Sequence, residues 1–453
     1  MRINNLIYTA MSNTNKPSPL VWTDREKLIF RFFFLFFMLQ AIPLSVDFFK
    51  IVFGFNWLHI SYGDIFNLTR LSSKFLSGAD SFINWIIIAG ISVICAVVWG
   101  KTKYKEVDYN QFYYWLRVVV RYRLAIGIIG YGFIKFFPLQ APFPSISNLN
   151  TSYGDFTDWK IFSMSLGIVP SYETFLGAIE ILAGLLLFFR KTATIGAAII
   201  LVFTGNVFIS NLAYEGGEFV YATYLITFAL FVLWFDATRI YNLISLERPT
   251  APNSFKPIFV GRIKSLRLAL KTLVIFFFVF LYGFKTYSGF HDDPYQFPRK
   301  KGLARAAGIY NVSEFKINGR VLPYAATDST RWKDVVFEKW ATISVRSDRK
   351  VIVDSSNYEQ VFKNDKDRDY ELAGTAGRHY YSYTIDSVNR VLLLANKNPH
   401  YKGESLRLNY SRPDSVSIIL SGINQQRDSI YVVLNKIDKK YPLKLSRRKA
   451  LKL

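Results

Sequence analysis

Glu180 is the residue whose type and position most directly suggest chemistry. It lies nine residues into an apolar segment that begins at Ser171, which is about 13 Å along a helix and therefore near the middle of a membrane span. Gly177 and Gly184 flank it on the same helix face. Small residues let helices approach closely, and an acid inside a membrane is costly. The pattern predicts a buried carboxylate facing another helix, as a proton carrier or as a structural partner.

Two arginines and an asparagine in other apolar segments could complete a polar site around Glu180. Arg121 and Arg123 lie deep in one such segment, where each needs a protein partner or an anionic headgroup. Asn206 suits either interhelical hydrogen bonding or the lining of a polar cavity. We predict that Glu180 pairs with Arg121 or Asn206. The candidate cofactor-binding residues are Arg121, Arg123, Glu180 and Asn206, and the candidate proton-handling residue is Glu180.

Cysteine and histidine are too few and too scattered for several common redox centres. Cys95 is the only cysteine in the sequence, which excludes an internal disulfide, a four-thiolate metal site and a CxxC pair. None of the four histidines lies inside an apolar run, which excludes a membrane haem held by histidine. We therefore predict no metal site. An electron-carrying function would depend on a quinone or a partner protein.

The composition is that of a membrane protein joined to a polar domain. The chain of 453 residues is 51% hydrophobic and 17% aromatic, and its long apolar runs all lie before residue 290. A span needs about 20 apolar residues, and the first run lacks the cleavage pattern of a signal peptide. Seven spans are predicted, near residues 28–48, 82–100, 114–137, 171–189, 193–212, 219–236 and 266–286.

The charges in the loops predict an orientation. Connections on the N-terminal side of the membrane hold 15 Lys and Arg residues, whereas those on the other side hold only 3. Because positive loops stay in the cytoplasm, we expect a multi-pass protein of the bacterial inner membrane with a cytoplasmic N-terminus and a periplasmic C-terminus. The net charge of +23 is spread over both halves without a nucleic-acid-binding module. Membrane lipid is thus the expected partner, and nucleic acid is not.

The segment after residue 290 predicts an all-β domain. Eight short β-rich runs follow one another, separated by turn residues such as Asn318-Gly319. A meander closed into a small up-and-down barrel is the predicted fold, with a sandwich as the alternative. The runs are 309–317, 335–345, 350–354, 380–385, 391–395, 405–410, 415–420 and 429–435. Their polar outer positions also predict that residues 305–440 fold independently.

Several motifs in the third to sixth predicted spans resemble DoxX-like membrane proteins. They are Arg121-Tyr122-Arg123-Leu124-Ala125, Tyr131 to Lys135 with Pro138-Leu139-Gln140, Phe175 to Glu180 with Gly184, Arg190 to Gly196, and Asn206. Gly308-Ile309-Tyr310, Asn318-Gly319, Asp328 and Arg331-Trp332 resemble the tail of longer members from Bacteroidetes-type bacteria. The predicted organisation has five parts. They are an N-terminal cytoplasmic segment (1–27), two spans with a periplasmic loop (28–111), a DoxX-like four-helix unit (112–245), a cytoplasmic loop with the seventh span (246–289), and a periplasmic linker with the β-domain (290–453).

The resemblance implies a membrane subunit, because some members of the family are subunits of a thiosulfate:quinone oxidoreductase and others join membrane complexes that handle thiol-oxidative stress. Three functions stay open. The first is an anchor, subunit or assembly partner of an envelope complex. The second is a quinone-associated redox subunit in which Glu180, Arg121 and Asn206 hold the quinone head, and the third is a lipid or isoprenoid handler with cargo in the barrel lumen. The sequence does not decide whether the chain is an enzyme.

Reporter fusions test the predicted topology. We expect a reporter that is active only in the periplasm to be active when fused after Leu453 and inactive when fused after Lys191, because positively charged loops are retained in the cytoplasm. Activity after Lys191, or its absence after Leu453 in a stably produced fusion, would contradict the predicted orientation.

Overall fold

A computed structural model describes residues 22–42, 46–73, 81–102, 107–250, 261–355, 361–362 and 364–445. Helices dominate the chain up to residue 292, and strands dominate the rest. The helices are α1 (Asp24–Ala41), α2 (Val46–Gly54), α3 (Tyr62–Arg70), α4 (Phe82–Lys101), α5 (Tyr109–Phe136), α6 (Ile146–Leu149), α7 (Asp158–Gly167), α8 (Pro170–Leu187), α9 (Ala193–Ala213), α10 (Phe219–Ile244), α11 (Arg262–Asp292, with a π-helical stretch at Phe276–Leu281) and α12 (Pro442–Leu445).

Five helices of the described residues are long and apolar enough to cross a membrane, namely α4, α8, α9, α10 and α11. This number is smaller than the seven spans predicted from the sequence. The predicted first and third spans do form helices, α1 and α5. Each carries several charged side chains, including Arg31 in α1 and Arg121 and Arg123 in α5, and so lacks a sufficiently apolar stretch of about 18 residues.

The described residues divide into two compact units. The helical unit comprises the described parts of Met1–Gly132, Ile179–Phe208 and Phe219–Phe284. The barrel unit comprises those of Phe133–Ala178, Ile209–Glu218 and Lys285–Leu453. The compact unit that contains the β-domain is therefore larger than residues 290–453, because the connection between α5 and α8 also belongs to it.

The C-terminal domain is an eight-stranded closed β-barrel, as the sequence predicts. Its strands are β1 (Gly308–Ile317), β2 (Arg320–Val321), β3 (Asp334–Phe337), β4 (Thr342–Arg346), β5 (His379–Asp386), β6 (Val391–Asn396), β7 (Ser405–Ser411), β8 (Ser417–Asn424) and β9 (Ser429–Ile437). Neighbouring strands are antiparallel, and β1 pairs with both β3 and β9, which closes the barrel. The short β2 only extends β1 as a hairpin. Closure leaves no free edge among the eight barrel strands.

The predicted number of eight strands is correct, but two of the predicted strands differ from those observed, and the two differences cancel in the count. The run 335–345, predicted as one strand, forms β3 and β4, which pair with each other. The run 350–354 is not a strand. Every residue of β3 is buried, and so is most of β4. In strands that are covered on both faces, polar and apolar residues do not alternate regularly. The turn between β3 and β4 therefore cannot be recognised from the sequence pattern.

Side chains fill the barrel lumen. Successive residues of a strand point to opposite faces, and the inward positions hold large apolar residues such as Phe315, Phe337, Tyr383, Leu408 and Leu420, all buried in one cluster. The interior of an eight-stranded barrel is either filled by side chains or holds one small ligand. Core side chains therefore occupy much of the lumen, which is where the hypothesis of a lipid or isoprenoid handler places its cargo.

The polar outer face of strands β3 to β5 is buried instead of solvated. Glu338 follows β3 and is 1% exposed. Its carboxyl group accepts hydrogen bonds from the Ser147 backbone N–H and hydroxyl, each at 2.7 Å, and from the Ile146 N–H at 3.2 Å. The Ser147 hydroxyl also lies 2.7 Å from that of Ser344 in β4. Helix α6, from the α5–α8 connection, therefore covers this wall of the barrel.

Two buried ion pairs accompany Glu338 under the same cover. Glu371 pairs with Lys397 at 2.6 Å and also accepts hydrogen bonds from the Trp340 indole at 2.5 Å and the Thr342 hydroxyl at 2.8 Å. Arg378 pairs with Asp334 at 2.6 Å. Burial, together with the negative charge of Glu371, raises the pKa of Glu338 to about 7. Buried polar groups are costly unless they are hydrogen-bonded, and the covering segment supplies the donors to Glu338.

Replacement of Ser147 tests this dependence. We expect Ser147→Ala to destabilise the barrel unit by about 1–3 kcal/mol, because it removes a donor to a buried acid and leaves polar atoms unsatisfied. The measurement is thermal unfolding of the full-length protein in detergent, followed by near-UV circular dichroism. Ser152→Ala is the matched control, since Ser152 is exposed and makes no capping hydrogen bond. Equal effects of the two substitutions would contradict this interpretation.

Candidate functional site

The helical unit contains a cavity of about 330 Å³ whose lining is strongly basic. Three elements form it: the N-terminal half of α5, the segment that follows α8, and α11. Four of the ten lining side chains are cations, and none of the described lining residues is acidic. They are Tyr114, Trp115, Val118, Arg121, Tyr122, Phe188, Arg190, Arg267, Leu268 and Lys271.

Tyr114 lies between two of these cations. The Arg267 guanidinium donates a hydrogen bond to its hydroxyl at 3.3 Å, and the Arg190 guanidinium lies 5.8 Å from its ring centre. Arg121 is only 8% exposed, and its Nε has no hydrogen-bond partner. Arg267 and Lys271 line the same space as Arg121. The aromatic faces moderate the repulsion within this like-charge cluster.

Arg123, the second predicted arginine, has a structural position. Its guanidinium donates to the backbone carbonyls of Thr69, at 2.7 Å, and Leu71, at the C-terminal end of α3. The last carbonyls of a helix lack intrahelical partners, and a cation is favoured there. The Tyr221 hydroxyl donates to the same Thr69 carbonyl at 3.0 Å. Arg123 thus fixes α3 and does not line the basic cavity.

Glu180 and Asn206 do not line the basic cavity either. Glu180 is 5% exposed, and Gly184 packs directly against Ile129 of α5, so the close helix approach expected at this glycine is present. Asn206 is exposed on α9. Of the four predicted site residues, the basic cavity contains Arg121 alone. Among the described residues, no group of three or more His, Cys, Asp or Glu side chains is arranged to hold a metal ion.

A second cavity, of about 320 Å³, opens at one end of the barrel. We call it the mouth cavity. Apolar side chains of the barrel core form its floor, and hydroxyl, amide and imidazole groups surround them. Its lining consists of Phe315, Ile317, Ser329, Thr330, Trp332, Val345, Ser347, Arg349, His379, Tyr381, Glu404, Ser405, Leu406, Asn424, Gln425, Gln426 and Ile430.

His379 is the most unusual side chain of the mouth cavity. It is 4% exposed, and although the Arg349 backbone lies near the ring, neither ring nitrogen makes a hydrogen bond of normal geometry. The ring packs edge-on against Tyr401, with 5.1 Å between centres. Burial, with a contribution from the Arg349 charge, lowers the pKa of His379 below its ordinary 6.5. At neutral pH the imidazole therefore offers one donor and one acceptor.

The charged residues of the mouth cavity neutralise one another. Arg349 binds Glu404 through two parallel hydrogen bonds of 2.9 and 2.8 Å, and the Tyr381 hydroxyl also donates to Glu404. Burial acts to raise the pKa of Glu404, but these hydrogen bonds hold it below its usual value. The pair is fixed and has no net charge. What remains for a ligand is the imidazole, the neutral polar groups and the apolar floor.

Sequence reasoning missed His379, although a signal for it exists. Tyr381 and Tyr383 point inward from β5, and the period of two residues puts His379 on the same face. The predicted strand began at Tyr380, one residue too late to include it. The contact of Arg349 with Glu404 had no such signal, because 55 residues separate the two positions and only barrel closure brings them together.

Comparison with known proteins gives one local similarity. No family model matches the chain, and no solved structure matches it. The chain is 33% identical over 89 residues to the uncharacterized protein YwoB of Bacillus subtilis (strain 168). This similarity covers 20% of the chain and 55% of YwoB, so the chain spans just over half the length of that relative.

The electrostatic coupling in the mouth cavity can be tested by NMR. We expect Arg349→Gln to raise the pKa of His379, because a nearby positive charge disfavours the protonated imidazole. The measurement is a pH titration of the histidine ring signals, with His379→Asn to assign the resonance. Arg412→Gln, which replaces an exposed arginine outside the cavity lining, is the control. A His379 midpoint that does not move in Arg349→Gln would contradict the proposed coupling.

Proposed function

We propose that this chain is a DoxX-like protein of the bacterial inner membrane that anchors a ligand-binding β-barrel in the periplasm, as a subunit or assembly partner of an envelope complex. Three features support the proposal: the DoxX-like motifs of α5, α8 and α9, the five apolar helices, and the closed barrel with its mouth cavity. The mouth cavity is where the barrel would meet its ligand.

In this proposal α1 and α5 also cross the bilayer, which gives seven spans. The 28 residues of α5 extend over about 42 Å at ~1.5 Å per residue. Charged helices can cross a membrane when their charges face protein groups. Arg31 of α1 donates to the Tyr109 hydroxyl at 2.9 and 2.5 Å, and Arg123 of α5 donates to the end of α3. An odd number of spans and the loop charges then favour a periplasmic barrel.

The chemistry of the mouth cavity favours an uncharged small ligand. Among the described lining residues, the charged ones are Arg349 and Glu404, which neutralise each other. A charged ligand would lose its hydration there without gaining a counter-charge from these residues. The apolar floor requires one apolar face on the ligand. At ~30 Å³ per water molecule in the liquid, the volume equals that of about ten waters, which is at the lower end for ligand pockets.

The observation that carries this proposal is the buried His379 with no hydrogen bond of normal geometry. Buried polar groups almost always have hydrogen-bond partners, and a buried imidazole without such partners destabilises the folded state. A ligand that offers one acceptor and one donor would remove this cost. The quinone hypothesis has weaker geometric support, because it requires Glu180, Arg121 and Asn206 around one head group, whereas the basic cavity contains only Arg121.

The test is a ligand-observed NMR screen of uncharged compounds with about ten to fifteen non-hydrogen atoms against the full-length protein in nanodiscs. We expect compounds that bind the wild type to bind His379→Leu roughly three- to tenfold more weakly, the effect of losing one neutral hydrogen bond. His400→Leu is the matched control, since His400 is exposed and outside the cavity. Compounds that bind both variants equally, or a library without binders, would contradict the proposal.

A further inference from the structure

The basic cavity of the helical unit brings four cationic side chains to one space. Arg121, Arg190, Arg267 and Lys271 line a single space of about 330 Å³, and no acidic side chain of the described residues lines it with them. Like charges held close together in a partly dehydrated space repel one another strongly. An anion in this space would reduce the repulsion.

Arg121 is the clearest sign that the cavity is built for a ligand. It is more than nine-tenths buried, and its Nε has no hydrogen-bond partner. A guanidinium presents several donors in a planar fork that fits the oxygens of carboxylate and phosphate groups. A buried charged donor left without an acceptor is costly, whereas an anion in the cavity would supply the acceptor.

The other lining residues indicate the kind of anion. Arg190 and Arg267 converge on Tyr114, so three guanidinium groups and one ammonium group surround the same space, which suits an anion with several equivalent oxygens. The remaining wall is apolar or aromatic, with Trp115, Val118 and Leu268. A site with cations on one side and apolar side chains on the other fits the phosphate of an amphiphile, and basic pockets between membrane helices hold anionic headgroups in this way.

We propose that the basic cavity binds a phosphate ester anion through Arg121, Arg190, Arg267 and Lys271. The source of the phosphate is the headgroup of an anionic phospholipid or a soluble phosphate compound, since the contacts with the phosphate oxygens are the same. The loop charges put this end of α5 on the cytoplasmic side in the topology proposed above. The site itself does not depend on the barrel or on the identity of the barrel's ligand.

Native mass spectrometry of the full-length protein tests the proposal. The protein is exchanged into nanodiscs of phosphatidylcholine alone or of phosphatidylcholine with phosphatidylglycerol at four to one, and inorganic phosphate is titrated in a separate experiment. For a lipid source, we expect wild type to retain phosphatidylglycerol and Arg121→Gln to bind it at least tenfold more weakly. Lys264→Gln, which replaces an exposed lysine of α11 outside the cavity, should bind like wild type.

A second variant keeps the test valid if Arg121→Gln does not fold. Lys271→Gln removes a partly exposed cation and should lower the melting temperature more with phosphatidylglycerol than in phosphatidylcholine alone. The contact of Lys271 with the Phe189 ring, at 4.1 Å, is lost in both lipids, whereas the contact with an anionic headgroup is lost only with phosphatidylglycerol. Saturable binding of inorganic phosphate that depends on Arg121, without retention of phosphatidylglycerol, would support the proposal with a soluble source. Failure of both probes to bind, or equal binding by wild type and the variants, would overturn it.

Discussion

The burial of Glu338 is the constraint on which the barrel unit depends. A carboxyl group on the outer face of a barrel would normally point into water, yet Glu338 is covered and its hydrogen bonds come from residues 146 and 147, nearly two hundred positions earlier. An unpaired acid in such a place would be strongly destabilising. The C-terminal barrel is therefore one compact unit with the connection between α5 and α8, and a change in that connection reaches the barrel wall directly.

The same constraint explains how far the fold could be predicted. Alternation and turn chemistry were sufficient for a closed meander, because inward positions such as Phe315 and Leu420 repeat with a period of two. The alternation also identified the outer face as polar, but it could not identify what covers that face. Asp334, Glu338 and Ser344 look like solvated residues in the sequence. Their burial follows from contacts with distant segments, which no local pattern records, and the prediction that residues 305–440 fold independently did not include those contacts.

The candidate sites show the same limit. The cost of a charge in an apolar segment drew attention to Arg121 and Glu180, and both are buried. It did not indicate which groups they meet: Arg121 faces other cations in the basic cavity, while Arg123, two residues later, is bound to the end of α3. Helical spacing places Arg121 and Arg123 on different faces of α5, but the neighbour on each face is a tertiary property. In the barrel, the predicted strand covered residues 380–385, whereas β5 extends over His379–Asp386, so that His379 was left out by one residue.

The pH dependence of unfolding is the most direct measurement of the central claim, that the barrel wall depends on a buried, hydrogen-bonded Glu338. Its pKa is raised to about 7 from an ordinary 4.5, so the folded protein keeps a proton that the unfolded chain loses between these values. The contribution of Glu338 to the free energy of unfolding is fully present below pH 4.5 and is lost as the pH rises through 7. One pKa unit corresponds to ~1.4 kcal/mol, so the total loss is about 3 kcal/mol. Glu338→Gln cannot lose that proton. The account predicts that the wild-type melting temperature falls relative to that of Glu338→Gln between pH 4.5 and 7, and a difference that stays constant over this range would contradict it.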